Sequence, residues 1–479
     1  MSHKSAVISG VKWTSVSHVV GRALSLATSV LLARLLAPSD FGLIAMAMVI
    51  VGFVDLFSSL GTSAAVIQKE TLSSELLSSL FWFNVLFGLA AAGVLFALAS
   101  TTAGFYREPR LTAIMHWLAL TLFLGGLKSV PQAVMQRELS FEKLAKLEIV
   151  TSCFSLMVGG GAALLGMGVW SLVIQTLAVN ALTTVLLWVS SSWRPQFVCR
   201  WALLKSVAGF SLNLTGYNLF NYFARNADNF LIGRFLGAQS LGYYDLGYRL
   251  LLYPLSAISA VVGRVVLPAY ARIQNDNAQL SRSFVKMAAS IALFSFPMMF
   301  GLMAIAEPFV LTFFGPAWVP MIPVLTIFAA LGAIQSVLTM VGAIYQAKGR
   351  TDLLLRWGIF SGLLIVASFV VGLHWGIVGV AAAYALTSLA LTYPCVAIPF
   401  RLIGLPVKAL SVALWPPMAA TLVMLVVVLA LKAALPPAVL PAVSLAILVL
   451  AGAVSYAIAT WCLNRTYLLE LRATFRPKS

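Results

Sequence analysis

Five polar residues in the first apolar segment, Ser15, His18, Arg22, Ser25 and Ser29, recur at alternating intervals of three and four. That spacing sets them on one face of a helix. A second run, Asn218, Asn221, Arg225 and Asp228, repeats the pattern at an offset of 200 residues, so that His18 aligns with Asn218, Ser25 with Arg225 and Ser29 with Asn229. Guanidinium groups hold phosphates and carboxylates through two parallel hydrogen bonds. Amides and imidazoles suit hydroxyls, and a carboxylate suits a cation. An ionisable side chain in the middle of a membrane span costs about 2.5–3.5 kcal/mol unless it is paired or faces water. A single stripe could serve as contact between helices; two stripes at matched positions point to one shared water-filled cavity.

Those stripes lie in a chain built for lipid. Of 479 residues, 61% are hydrophobic and only 9% charged, with mean hydropathy +0.98. No soluble globular chain of this length has that composition. An apolar run of about 20 residues spans the hydrocarbon as a helix. About fourteen such runs are predicted, at 13–37, 41–61, 77–102, 111–130, 147–166, 169–190, 207–233, 241–267, 284–305, 319–346, 354–373, 375–399, 409–431 and 440–462. The runs are continuous and do not alternate, so they are helices and not barrel strands. The fold class expected is an all-α integral membrane protein.

The repeat extends beyond the stripes. Ala33-Arg34-Leu35-Leu36-Ala37-Pro38-Ser39-Asp40-Phe41-Gly42 aligns with Gly233-Arg234-Phe235-Leu236-Gly237-Ala238-Gln239-Ser240-Leu241-Gly242. Gly168-Val169-Trp170 enters the sixth span much as Gly376-Ile377-Val378 enters the twelfth. Two six-helix lobes are expected, 1–200 and 201–405, inserted the same way up as parallel repeats around a central cavity, with 406–479 holding two extra spans and a tail. Parallel or inverted repeats flanking a midplane site are a common transporter architecture.

The net charge of +17 is explained by orientation and not by nucleic acid. With both termini in the cytoplasm, the outer ends carry only Arg34, Arg107, Arg110, Arg234 and Lys432 of the 31 Lys and Arg. Lys128, Arg137, Lys143 and Lys146 form one inner loop, Arg264, Arg272, Arg282 and Lys286 another, and Arg465, Arg472, Arg476 and Lys478 the tail. This is the bias that orients membrane proteins, and such loops also meet anionic headgroups. Phe141–Leu147 reads as a short amphipathic piece on the inner surface or as an ordinary connector. Lys4 and Lys12 precede an apolar run that contains Arg22 and is too long for a signal peptide, so it is a retained span.

Arg225 and Asp228, one turn apart, can pair within their helix, as can Asp245 and Arg249. Arg22 has no acid in its own helix; Asp55, in the next span, is its partner by topology, either as an inert bridge or as part of an anion site or ion relay. Arg34 and Arg234 end their helices at the outer face, where they meet headgroups or act symmetrically in gating.

Several chemistries are excluded. No G-x-x-x-x-G-K-[ST] loop binds ATP, and neither H-E-x-x-H nor G-x-S-x-G occurs. Cys153, Cys199, Cys395 and Cys462 are scattered, without zinc or disulfide spacing. With 14 acidic residues in all and small outer loops, a transporter is expected and not an enzyme, with driving energy from an ion gradient, the membrane potential or the substrate's own gradient.

Three segments carry a family resemblance. Leu31–Leu43, Pro131-Gln132-Ala133-Val134-Met135-Gln136-Arg137-Glu138-Leu139-Ser140-Phe141, and Ala306-Glu307-Pro308-Phe309 followed by Phe314-Gly315-Pro316-Ala317-Trp318 resemble bacterial polysaccharide exporters of the Wzx/WzxC type. These belong to the multidrug/oligosaccharidyl-lipid/polysaccharide flippase superfamily. The resemblance implies two six-helix lobes, a cationic cavity, and flipping of undecaprenyl-diphosphate-linked oligosaccharide across the cytoplasmic (inner) membrane for exopolysaccharide, capsule or O-antigen. On that footing Arg22, Arg225 and Arg249 are expected to hold diphosphate or acidic sugars. His18, Asn218 and Asn221 would bind sugar hydroxyls, and Tyr217 and Tyr222 would stack on sugar rings. Asp55 and Asp228 would couple a proton or sodium ion, and Arg34 and Arg234 would gate. No cofactor is expected. Expected partners are the lipid-linked oligosaccharide, membrane lipids, and polymerase and chain-length regulator proteins. The rival readings are a lipid II flippase, a cation-coupled drug antiporter and, from a different class, a membrane glycan ligase or polymerase.

Overall fold

The computed structural model describes residues 3–59, 66, 73–261, 266–436 and 438–463; within these, the side chains of most of 3–19 and of most of 205–220, among others, lie outside the described set. All regular structure among the described residues is helical. Helices α1 (His3–Leu35), α2 (Pro38–Ser59), α3 (Ser74–Tyr106), α4 (Arg110–Arg137), α5 (Phe141–Leu164) and α6 (Val169–Ser190) are followed by α7 (Trp201–Val261). Then come α8 (Leu267–Arg272), α9 (Asn277–Ala304), α10 (Ala306–Phe313), α11 (Ile322–Leu338), α12 (Val341–Ala347), α13 (Thr351–Gly372), α14 (Gly376–Ile403), α15 (Val407–Ala434) and α16 (Pro441–Leu463). Among the described residues, ten segments are long and apolar enough to cross a membrane, and α1 and α7, which carry the polar stripes, are not among them. The chain is a multi-pass membrane protein.

A helix lies over each predicted span within the described residues, with two instructive departures. The tenth span, expected at 319–346, is broken into a 3-10 turn at Pro316–Met321, α11 and α12, where Pro316, Pro320 and Pro323 each remove a backbone donor. Phe141–Leu147 is neither a surface piece nor a connector. It is the opening of α5 and continuous with the span.

The two arms of α7 meet at Gly237, whose φ of 83° and ψ of 175° are open to glycine and strained for any other residue. The compact units divide after this bend, as Met1–Asp245 and Leu246–Ser479. In the first unit α3 packs on α4, α5 on α6, α4 on α6, α1 along α5, and α2 on α4. In the second, α9 packs on α11, α13 on α14 and α11 on α14. These are the same span pairings, three–four, five–six and four–six, recurring as nine–ten, eleven–twelve and ten–twelve. The second unit adds α15, which packs on both α9 and α16.

Within the first unit the two repeat motifs touch reciprocally. A Cβ on Gly42 would overlap the Ala238 carbonyl oxygen, and one on Gly242 would overlap the Pro38 carbonyl oxygen. Residue 42 meets 238 and residue 242 meets 38, the self-complementary pattern of a two-fold contact. Only glycine at both positions lets the opening turns of spans two and eight approach this closely.

The linker 191–200 is tied to the start of α3. Ser78 Oγ accepts from Gln196 N at 3.0 Å and Ser79 Oγ from Arg200 N at 3.0 Å. Trp82 Nε1 donates to the Gln196 carbonyl at 2.8 Å, and Arg200 pairs with Glu75 at 2.9 Å.

α4 continues through Pro131, which has no N–H for the Leu127 carbonyl one turn back. Trp188 of α6 supplies the missing donor, its indole Nε1 reaching that carbonyl at 3.1 Å.

Two outcomes are expected in thermal unfolding of purified protein. Gly42→Leu should lower the Tm by an amount reflecting at least the 1–3 kcal/mol usual for overpacking, because the opposing atom is backbone. Gly104→Ala, which meets nothing within 4 Å, should leave it nearly unchanged. Equal Tm values for the two would show that the crossing does not bear on stability. Separately, Trp188→Phe should cost about 1–3 kcal/mol, the usual penalty of an unanswered buried carbonyl, and much less in a Pro131→Ala background, where the helix regains its own donor.

Candidate functional site

α1 presents Arg22 and Ser25 exposed and Ser29 half-buried. Its hydroxyls turn back on the helix: Ser29 Oγ donates to the Ser25 carbonyl at 2.9 Å and Thr28 Oγ1 to the Leu24 carbonyl at 2.8 Å. The side chains of Ser15 and His18 lie outside the described residues. α1 packs along α5, and a Cβ on Gly21 would sit 3.6 Å from Glu148 Oε1 and 3.7 Å from Ser152 Oγ. Glu148 of α5 therefore packs beside Gly21, the residue before Arg22. α2 itself packs on α3, α4 and α6.

On the first arm of α7, Asn221 and Arg225 are exposed, one turn apart, while Tyr217 and Asn218 have side chains outside the described residues. Tyr222 does not lie open for stacking. It is half-buried, its hydroxyl donating to the Val49 carbonyl at 2.7 Å, and it covers Gly52 of α2. Asp228 turns inward and is only 4% exposed. Its carboxylate accepts from Tyr244 Oη at 3.0 Å and from the Asn229 backbone N–H at 2.8 Å. Those are its described partners, in place of the expected Arg225. The tyrosine comes from the second arm of α7, folded back at Gly237, a partner that i, i+3 spacing could not reveal. Arg249, also on the second arm, is exposed and falls in the second unit.

A polar cluster missed in the sequence gathers α2, α4, α6 and α7. Lys128 was assigned to an inner loop, yet it sits inside α4, roughly 13 Å along the axis from its end at 1.5 Å per residue. Its ammonium donates to Asn180 Oδ1 of α6 at 2.6 Å. Asp55 of α2 faces the same stretch of α4, 3.8 Å from where a Cβ on Gly125 would be. Lys128 follows Gly125 by one turn of α4, and Tyr222 covers Gly52, one turn of α2 before Asp55. Asn84 Nδ2 bonds Ser129 Oγ at 3.3 Å beside them. The signal lay in the sequence: Lys128 stands within an unbroken apolar window, and Pro131 was read as the end of a span when the helix runs through it.

Arg34 is exposed in the last turn of α1. Arg234 is half-buried, its guanidinium 5.1 Å from the centroid of the Phe105 ring, which in turn stacks on Phe230 at 4.9 Å. The two arginines that align in the repeat thus differ in setting: one reaches outward and the other rests on an aromatic face.

The described residues therefore bring exposed cations to the helices that carry the stripes, and a lysine, a carboxylate and an amide to one interior cluster. Guanidinium and ammonium groups of this kind can hold an anion through charge-assisted hydrogen bonds. No group of three or more metal-ligating side chains occurs among the described residues.

Comparison with known proteins places this arrangement. The chain is 28% identical over 439 residues to the lipopolysaccharide biosynthesis protein WzxC of Escherichia coli (strain K12), covering 90% of this chain and 88% of that one. It is 27% identical over 369 residues to the succinoglycan biosynthesis transport protein ExoT of Rhizobium meliloti (strain 1021), covering 76% and 74%. Its fold matches that of the lipid II flippase MurJ in an inward closed conformation, with a TM-score of 0.74 over 95% of this chain and 99% of that one at 14% identity. The description of the polysaccharide biosynthesis protein family matches residues 31–323, more than half of the chain, and the chain belongs to that family.

Proposed function

We propose that the chain is a flippase that moves undecaprenyl-diphosphate-linked oligosaccharide repeat units across the bacterial inner membrane for surface polysaccharide synthesis. Family membership supports this, as does likeness to WzxC and to the transport protein ExoT along most of the chain. The observation that carries it is the set of cations, Arg22, Arg225 and Lys128, held on spans where a charge is costly. The lipid II alternative has the fold likeness to MurJ behind it, whereas the relatives that match in sequence belong to polysaccharide biosynthesis.

The chemistry is transport and not catalysis. A diphosphate and its sugars cannot cross about 30 Å of hydrocarbon unaided. Arginines in a wet cavity bind the diphosphate through charge-assisted pairs, with Arg249 joining them from the second repeat. His18, Asn218 and Asn221 bind sugar hydroxyls, and Tyr217 stacks on a ring. The prenyl tail stays in lipid. The two repeat lobes rock about the site, and the helices of 406–479 flank them. α1, the two arms of α7 and the second helix within Thr351–Ile403 bring the span count to about fourteen, with both termini cytoplasmic. Asp228, shielded and held by Tyr244, and Asp55, beside Lys128, carry the coupling proton or sodium ion. Arg34 and Arg234 gate the outer side. The delivered repeat unit is then consumed by the polymerase and chain-length regulators.

The first measurement is the leaflet location of lipid-linked oligosaccharide in a conditional depletion strain. Accumulation on the cytoplasmic side, reversed on re-expression, is the expected result. A normal distribution with loss of surface polymer would place the chain after flipping and sink the proposal. Charged hydrogen bonds contribute about 1.5–3 kcal/mol each, so Arg225→Ala and Lys128→Met should each slow flipping about ten- to hundred-fold at unchanged expression. Asp228→Asn should keep the Tyr244 contact while abolishing the response of flipping to an imposed ion gradient. A response equal to that of the parent protein would remove Asp228 from the coupling route.

A further inference from the structure

A groove of about 520 Å³ runs between α9 and α15 in the second unit. Its walls are apolar, formed by residues such as Leu293 of α9 and Ala413, Pro416 and Pro417 of α15. At the end nearest the start of α9 it is flanked by Arg282 and Lys286, both exposed and one helical turn apart. Ser281 Oγ, in the same wall, donates to the Ile403 carbonyl at 3.3 Å, joining α9 to the end of α14 and closing the groove there.

Two further features show what would fill it. Arg282 donates its Nε–H to the Ala278 carbonyl at 3.3 Å, which fixes the base of the guanidinium and leaves its terminal amino groups for an anion. Pro416 and Pro417 have no N–H, so the carbonyls of Val412 and Ala413 lose their usual helical donors. Ala413 itself lines the groove. The groove thus offers two cations at one end, an apolar trough, and carbonyl acceptors partway along. A phospholipid with an anionic headgroup matches all three: phosphate at the cations, a headgroup or glycerol hydroxyl on the carbonyls, and an acyl chain along the trough. Basic pockets between spans on the cytoplasmic side characteristically hold such lipids.

We infer that the α9–α15 groove is a binding site for an anionic phospholipid, held by Arg282 and Lys286. The site lies outside the polar stripes and the Lys128 cluster, and it is a property of the folded chain whether or not the transport assignment holds.

The test uses the full-length protein, purified in a neutral detergent, with phosphatidylglycerol or phosphatidylcholine added. Bound lipid is read by native mass spectrometry and stability by thermal unfolding. Phosphatidylglycerol should give a retained one-to-one adduct and a raised Tm, and phosphatidylcholine neither. The double variant Arg282→Gln, Lys286→Gln should weaken phosphatidylglycerol binding at least ten-fold. Ala413→Phe, which fills the trough and leaves the charges, should do the same. Arg350→Gln, which removes a cation already paired with Asp352 at 2.9 Å, should bind as the parent does. Circular dichroism and size-exclusion profiles matching the parent confirm that the variants are folded; if Ala413→Phe fails to fold, Ala409→Leu replaces it in the same wall. Equal retention of both lipids, or undiminished binding in the charge and filling variants, overturns the assignment. Displacement of phosphatidylglycerol by undecaprenyl phosphate at lower concentration also overturns it, giving the groove to the carrier lipid instead.

Discussion

The contact on which the first unit depends is the crossing of Gly42 with Ala238 and of Gly242 with Pro38. Most contacts between membrane helices tolerate substitution, because a side chain can turn aside. Here the atoms opposite each glycine are backbone carbonyl oxygens, and a methyl group would overlap them. Lipid provides no hydrophobic drive to bring helices together, so close backbone approach and the dispersion it allows must provide the association. The reciprocity explains why the motif was kept in both copies. Each glycine serves the other copy's helix, so a change at either one opens the same junction. Gly237 completes the arrangement, because its bend directs the second arm of α7 back toward α2 and brings Tyr244 against Asp228.

Away from that junction the structure is governed by the need to satisfy polar groups where no water competes for them. Prolines show it most plainly. At Pro131 the orphaned carbonyl of Leu127 is answered by the Trp188 indole, and α4 runs straight on to Arg137. That continuity lifts Lys128 out of the loop region and into the span, where Asn180 receives it. At Pro416 and Pro417 the same loss of donors opens onto a groove between helices. One element of backbone chemistry thus recurs in both units, answered by an indole at Leu127 and set beside a groove at Ala413.

The fold was largely legible in the sequence. Continuous apolar runs gave the helices, and the Ala33–Gly42 and Gly233–Gly242 alignment gave the repeat. The recurring span pairings show the repeat in the packing. Legibility declined where the answer depended on which helices become neighbours. Helical spacing correctly puts Asn221 and Arg225 on one face. It cannot show that Asp228 faces inward to a tyrosine sixteen residues on, or that Glu148 lies against the Arg22 turn. The assignment of Lys128 to a loop failed for a different reason. A rule about charge at membrane boundaries was applied to a residue whose helix boundary had been set too early by a proline.

The linker between the repeats brings these strands together. A ten-residue segment between two six-span repeats invites the view that it is a free hinge. Its backbone N–H groups at Gln196 and Arg200 are instead held by Ser78 and Ser79, its Gln196 carbonyl by Trp82, and its last arginine by Glu75. Four separate ties to the first three turns of α3 make 191–200 part of the first unit. The first arm of α7 follows it there, tied by Tyr222 to the Val49 carbonyl, and the start of the second arm is held to α2 by the glycine crossing. The compact boundary accordingly falls after Asp245, well inside the second repeat. The polar stripe of the second repeat therefore belongs, by packing, to the same compact unit as that of the first. Arg22 and Arg225 thus fall in one compact unit although they stand in different repeats, and the tie of the linker to α3 is what carries the second stripe there.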